Sequence, residues 1–337
     1  MIINIQLLRG LAALAVAFYH AGYVIPGTIY TDFLGVPIFF VVSGFIMTHI
    51  TRAPSDGFFL HRLVRIAPLY WLATALYAAM VVVVYPAIGK QSDNIVTITT
   101  LLSDLFFVPR LDSNGAIIYP VLSVGWTLNL EMYFYLLFAA ALYLNRRVAP
   151  AIVAVAVLVV WLSGLYLDLP PLAGFYAHRY VVYFPLGIGT YYAAQVSTQQ
   201  ARIGMLSATA GAAALIGFAT TGLESMSLAA PPLIVLGAVL LERGGVACRY
   251  RLTMALGASS YALYLCHPFI VGLLREAAKR AHFDVTAHLS AALLAVALSA
   301  GAAWLIFKWI EAPLLTRLRA SILPHPKTKS SRAVPAE

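Results

Sequence analysis

Three groups of residues in this chain combine types and spacings that could do chemistry. Arg9 and His20 stand eleven positions apart in LRGLAALAVAFYH. At 100° per residue, eleven steps return close to the same helical face, with a rise of about 16 Å. One stripe then carries a guanidinium at one level and an imidazole at another. Glu131 stands in GWTLNLEMYFY, about 8–10 Å into its helix at 1.5 Å per residue. Counting depth from the two membrane edges brings Glu131 level with His20. The carboxylate is therefore expected to orient the ring and leave its other nitrogen as a base. Arg62 and Arg65, in FFLHRLVRIAPLYW, are neighbours on a helical turn. Two guanidiniums so placed can clamp a phosphorylated ligand in bidentate fashion. Each group also has a plain structural reading. Arg9 can snorkel to headgroups, His20 can be a packing residue, and Glu131 can pair with an Arg or Tyr. Arg62 and Arg65 can simply face lipid phosphates at the inner edge.

Other polar residues read first as structural. Ser43 and Gly44 in FFVVSGF lie mid-helix, where small residues allow close packing. His267 precedes Pro268, which frees a backbone carbonyl, and Tyr261 lies about two turns before it. Glu311 in WIEAPL sits at the end of the last apolar run. The chain lacks a G-x-S-x-G elbow, an H-E-x-x-H pair, a Cys/His cluster at zinc spacing and a Walker A loop. No metal is expected.

The elements that hold these residues follow from composition. The chain has 337 residues, 61% hydrophobic and 10% charged, with a mean hydropathy of +0.86. Soluble domains carry about 25% charged residues. A soluble enzyme, a disordered chain and a disulfide scaffold are thereby excluded, and a polytopic, all-α integral membrane protein remains. The net charge of +9 comes from bases lying mainly between apolar stretches, the pattern that sets membrane orientation, so nucleic acid is not expected as a partner. Cys248 and Cys266 should lie at different depths, which argues against a disulfide between them. No cleavable leader is expected, because the first apolar stretch begins almost at Met1 without a basic region before it.

About ten transmembrane helices are predicted, over 5–23, 33–50, 67–88, 124–144, 149–166, 179–195, 203–221, 228–241, 254–274 and 289–309. The stretch 228–241 is short and contains Pro231 and Pro232; 97–108 is apolar but too short to cross. With the N-terminus inside, the inner segments hold roughly 15 Lys and Arg against 6 outside. Both termini are then cytoplasmic, and the longest loop, 89–123, is extracytoplasmic. The membrane domain covers 1–315, and 316–337 reads as a basic, disordered cytoplasmic tail.

Taken together, these stretches resemble the acyltransferase family 3, integral-membrane O-acyltransferases of polysaccharides and other extracytoplasmic sugars. The resemblance runs from Ile5 to about Leu315. It rests on Arg9…His20, on FFVVSGF at 39–45, and on Arg62 and Arg65 followed by Ile66, Pro68 and Tyr70. W-T-L-x-x-E-x-x-F-Y from Trp126 to Tyr135, SSYALYLCHPF and WIEAP follow in order. GWTLNLEMYFY and FFVVSGFIM look most like the exopolysaccharide-production acetyltransferase branch. Gly125 stands where many members have Ser, and the esterase-like domain that some members carry is not expected here.

The resemblance implies transfer of an acyl group from cytoplasmic acyl-CoA, acetyl-CoA by default and succinyl-CoA as the variant, to a hydroxyl of an exopolysaccharide or its lipid-linked saccharide precursor. Its setting is a bacterial plasma (inner) membrane, among membrane lipids and with other polysaccharide-assembly proteins as candidate partners. Arg9, Arg62 and Arg65 would hold the donor, and His20 with Glu131 would carry the chemistry. Trp126, Tyr70, Ser43, Tyr261 and His267 would line the substrate site. His20 as general base and an acetyl-histidine relay both fit. From the residues alone, a proton-coupled polysaccharide or lipid transporter and a non-catalytic scaffold of an assembly complex stay open.

Overall fold

The computed structural model describes residues 2–52, 57–89 and 96–322. Among them the chain is almost entirely helical. The helices are α1 (Ile3–Ala21), α2 (Gly35–Ile50), α3 (Phe58–Ala79), α4 (Tyr85–Ala87), α5 (Ile98–Leu105), α6 (Gly125–Leu144), α7 (Ala149–Tyr166) and α8 (Pro171–Tyr176). They continue with α9 (Tyr183–Val196), α10 (Gln200–Thr221), α11 (Glu224–Arg243), α12 (Arg251–Ala258), α13 (Ser260–Arg280), α14 (Leu289–Ile306) and α15 (Ala312–Ile322). A two-stranded antiparallel ribbon, β1 (Arg110–Leu111) and β2 (Ile117–Ile118), is the one sheet among the described residues.

Each of the ten predicted spans coincides with a helix. Seven helices are long and apolar enough to cross a bilayer, and α12 with α13 makes an eighth if the pair, bent by 72°, counts as one span. The other two predicted spans are shorter than that. Helix α2 has 16 residues and α9 has 14, against about 20 for a hydrocarbon core of about 30 Å. The stretch with two prolines is a full helix: α11 runs unbroken through Pro231 and Pro232. Helix α3 begins at Phe58 rather than at 67, so Arg62 and Arg65 belong to the helix itself and not to a loop before it. Apolarity alone misses that first part because basic side chains share it with apolar ones. The apolar stretch after residue 96 folds as the short α5, which packs on α3 through a bond from Trp71 Nε1 to the Leu105 carbonyl at 2.9 Å. Helix α15 continues through Ile322, into the expected tail; residues 323–337, like Lys90, lie outside the described residues. Both cysteines are free.

Local chemistry sets the helix ends that matter for the site. The first two amides of α1 donate to the Glu242 carboxylate, from Ile3 at 2.9 Å and Asn4 at 2.7 Å, which answers donors that a helix start leaves open. Asn4 also donates to Ala238 and Val246 carbonyls and accepts the Cys248 amide. The start of α1 is thereby pinned to the end of α11. At its other end α1 stops at Gly22, whose φ of +85° closes the helix onto the Tyr19 carbonyl at 3.0 Å.

Helix α2 crosses α9 backbone to backbone. A Cβ on Gly44 would collide with the Phe184 carbonyl, and one on Gly187 with the Val41 carbonyl. Helices α3 and α6 run antiparallel. Phe58 packs on Phe138 with ring centroids 5.7 Å apart, and at the far end the Tyr70 ring closes on Gly125. Beside that end, buried Asp104 of α5 accepts the Val121 amide at 2.7 Å and lies 3.6 Å from Arg110 Nη2.

Candidate active site

The polar residues of the bundle gather round a cavity of about 200 Å³ enclosed by α1, α2, α3, α6 and α13. Arg9 comes from α1, Ser43 from α2, Arg62 and Arg65 from α3, Glu131 and Tyr135 from α6, and Tyr261 from α13. The antiparallel register of α3 and α6 explains why Glu131 meets the arginines. With Tyr70 level with Gly125, six residues down α6 matches five to eight residues back along α3.

Glu131 Oε1 accepts two hydroxyls, Ser43 Oγ at 2.8 Å and Tyr135 on the next turn of its own helix. The charge of Arg9 interacts with Arg65, Glu131 and Glu311, yet among the described residues its one side-chain bond is to Gln6 Oε1 at 3.3 Å. Arg62 keeps its Nε buried without a hydrogen-bond partner among the described residues. Glu311, only 3% exposed, faces Arg65 and Arg9 with one carboxylate oxygen unpartnered. It sits on a single π-turn, Phe307–Glu311, of the kind that recurs at functional sites. Among the described residues, no ion pair within 4.0 Å joins the three arginines to either glutamate. Three guanidiniums against two carboxylates leave an excess positive charge with donors to spare, and such a cavity attracts a phosphorylated or carboxylated ligand.

His20 is elsewhere. The expected pair of His20 with Glu131 is not formed. His20 Nδ1 lies 2.9 Å from the Val16 carbonyl and 3.3 Å from Nε2 of His267, with the two rings 5.0 Å apart. His267, fully buried, points its own Nδ1 at the Leu263 carbonyl at 3.1 Å. Neither histidine lines the cavity. Phe39 and Tyr264 do, and Tyr264 carries the lining toward the histidines. The Phe39 and Tyr264 rings are 5.9 Å apart, and Tyr264 is 6.1 Å from His267. The Tyr264 hydroxyl is tied to α6 through Thr127 at 2.6 Å and the Val124 carbonyl at 3.0 Å.

Of the remaining candidates, Ser43 and Tyr261 line the cavity, and Tyr261 donates to the Ile66 carbonyl at 2.7 Å. Tyr70 is fully buried and stacks on Phe107 at 5.1 Å, outside the cavity. Trp126 also lies outside it, beside His178 at 4.9 Å and Tyr180 at 6.1 Å. There, burial and then the neighbouring Arg179 hold the His178 imidazole down at about 4. Its neutral Nδ1 accepts the Tyr180 amide at 3.2 Å.

Sequence reasoning did not single out Tyr135, Tyr264 or Gln6. Two of them carried a signal. Tyr135 is four residues after Glu131, and Tyr264 falls midway between Tyr261 and His267 on one helical face. Among the described residues no three His, Cys, Asp or Glu side chains converge as metal ligands would.

The model of an acyltransferase domain family matches residues 2–308, nearly all of the membrane-embedded part. The chain belongs to that acyltransferase family. Curated relatives agree with the assignment. The chain is 33% identical over 296 residues to the exopolysaccharide production protein ExoZ of Rhizobium meliloti (strain 1021), covering 85% of this chain and 90% of that one. It is 34% identical over 138 residues to a putative acetyltransferase, ORF330, of Acidianus two-tailed virus, covering 40% of this chain and 38% of that one. It is 31% identical over 143 residues to protein 2 in the picA locus of Rhizobium radiobacter, covering 37% and 74%. No solved structure matches. The family match places the cavity and the histidine pair within the acyltransferase domain.

Proposed function

We propose that this membrane acyltransferase moves an acyl group, acetyl by default, from cytoplasmic acyl-CoA to a hydroxyl of an exopolysaccharide or its lipid-linked precursor. The observation that carries the reading is the cavity itself: three guanidiniums converge on it, and one of them keeps a buried, unbonded Nε. The phosphates of coenzyme A supply the charge and the planar oxygens such a cluster binds. The likeness to a protein named for exopolysaccharide production supports a saccharide acceptor. The excess of Lys and Arg on the side of α1's first residue supports a cytoplasmic N-terminus and a cytoplasmic mouth for the cavity, in a bacterial plasma membrane crossed about ten times.

Arg9, Arg62 and Arg65 then hold the donor's phosphates. Glu131, bonded to Ser43 and Tyr135, tempers the charge of that cluster rather than serving His20. The acyl thioester travels along α1 toward His20, a rise of about 16 Å from Arg9. On the way Phe39 and Tyr264 turn aside. At His20 the imidazole takes the proton of the acceptor hydroxyl. The hydroxyl oxygen bonds to the acyl carbon, the carbon–sulfur bond breaks, and the proton passes to the departing thiolate.

The test uses purified protein in nanodiscs with acetyl-CoA labelled in the acetyl group and a saccharide acceptor. Label should enter the saccharide. His20→Ala should abolish that transfer, and Arg62→Ala should raise the donor KM by more than tenfold. Saccharide movement across the membrane without label, or full transfer by His20→Ala, refutes the reading.

A further inference from the structure

The contact between His20 and His267 assigns a role to a residue that lies outside the cavity. A carbonyl oxygen only accepts, so a histidine nitrogen close to one must carry hydrogen. His267 Nδ1, 3.1 Å from the Leu263 carbonyl, is therefore an N–H. In a neutral ring its Nε2 is then a bare lone pair, and that lone pair faces His20 Nδ1 at 3.3 Å. His20 Nδ1 also lies 2.9 Å from the Val16 carbonyl, so it too is an N–H, shared between two acceptors. The chain of donors runs from His20 to His267 to Leu263. It leaves Nε2 of His20 as the one ring nitrogen in the pair with a free lone pair. Pro268 belongs to the same arrangement: it has no N–H for the Tyr264 carbonyl, which is left to meet the His267 ring beside the Leu263 carbonyl.

We propose that His267 is the positioning residue for His20. Its Nε2 accepts the Nδ1–H of His20, holds His20 in the tautomer whose Nε2 is the base, and steadies the imidazolium that forms when that base takes the acceptor's proton. A carboxylate does this in the familiar triads. Here a neutral imidazole does it, in a wall of helix where a carboxylate would be a second buried charge. The other groups facing His20 are the Tyr19 ring, at 5.2 Å, and the cation of Arg275. Neither is an acceptor for Nδ1–H.

The inference rests on His20 as the base of the reaction proposed above, and its test separates the two. Protein labelled with 15N in its histidine rings is examined by NMR in nanodiscs, with His20→Ala identifying the His20 signals. The wild type should show His20 protonated at Nδ1. In His267→Ala the other tautomer should appear, with kcat lowered about 10²-fold and the donor KM unchanged. His267→Gln, whose Oε1 reaches the place of Nε2, should restore the Nδ1–H tautomer and most of kcat; a merely structural role predicts no such rescue. If His20 in folded His267→Ala stays protonated at Nδ1, the Val16 carbonyl alone fixes the ring and the proposal is overturned, whatever the activity. Full transfer by His20→Ala overturns the reading of His20 and takes this role with it. Loss of transfer in His20→Ala beside an unmoved tautomer in His267→Ala overturns the present proposal alone.

Discussion

Gly44→Ala isolates the dependence of the cavity on the crossing of α2 and α9. A single methyl at this position would come within 3.1 Å of the Gly187 Cα and closer still to the Phe184 carbonyl oxygen. Both are backbone atoms, so no side chain can rotate away. A C–H···O contact rests at about 3.3–3.6 Å, and restoring it requires the two helices to part by roughly 1 Å. Overpacking of this kind costs about 1–3 kcal/mol. The neighbouring Ser43 donates to Glu131 at 2.8 Å. That bond has only about 0.7 Å of tolerance before it ceases to be one, so a shift of helix α2 on the 1 Å scale breaks it. Misplacement by about 1 Å can cost on the order of 10²-fold in rate. The assay pairs thermal melts in detergent with labelled acyl transfer in nanodiscs. The control is Gly189→Ala on α9, where an added Cβ meets nothing within 4 Å, and which should melt no lower than wild type. Native melting and transfer in Gly44→Ala would refute the claim that this backbone contact sets the cavity.

Three further outcomes follow from the same geometry. Arg62→Lys keeps the charge but loses the planar fork; the donor KM should rise about tenfold while kcat holds, as measured by initial rates against acyl-CoA concentration. Glu131→Gln removes one negative charge from the arginine cluster; at about 10 Å and an effective dielectric of about 20 that is worth about 1.7 kcal/mol. Coenzyme A should therefore bind roughly 15- to 20-fold tighter by calorimetry, while the His20 ring signals stay in place because no bond joins the two residues. Asp104, outside the spanning helices, has its carboxyl raised above the usual value of 3.8 by burial, against the pull of the Val121 amide and Arg110. The folded protein holds this proton more tightly than the unfolded chain, so the Asp104 contribution to stability is greatest below pH 3.8 and is lost as pH rises through the folded value. Chemical unfolding of Asp104→Asn across that window should show a smaller decline with pH than wild type.

The helices were legible in the sequence because twenty-residue apolar runs have few other solutions in a membrane. Arg9, Arg62 and Arg65 were legible as a group because charges are expensive in such runs and stand out by type. The pairing of His20 was not. It joins residues 247 positions apart, and counting depth from helix ends assumes straight helices starting at the membrane edge. Helix α2 breaks that assumption: Gly35, its first residue, already packs against Ala12 and Val16 in the middle of α1. So does the 72° bend between α12 and α13. In the same way, Gly125 against Tyr70 sets Glu131 level with the arginines, a register that two isolated helix sequences do not specify. The predicted span 67–88 leaves Arg62 and Arg65 outside α3 because basic side chains lower the apolarity of its first turns.

The separation of Glu131 from His20 makes chemical sense for a transferase with a long donor. Under the proposed mechanism a carboxylate beside His20 would add negative charge where a thiolate leaves, whereas His267 in its proposed role adds none. A carboxylate among Arg9, Arg62 and Arg65 keeps three like charges tolerable when no phosphates are bound. In the proposed function, holding phosphates and moving a proton fall to opposite ends of α1, and Tyr264, which lines the cavity beside Phe39, lies 6.1 Å from His267. On the proposed route from the arginines to His20, a thioester displaces these two rings. The Tyr264 hydroxyl, anchored to Thr127 and Val124 at the start of α6, ties that displacement to the helix that carries Glu131. On that route donor binding and access to His20 are coupled through the position of α6, while no bond joins Glu131 to His20.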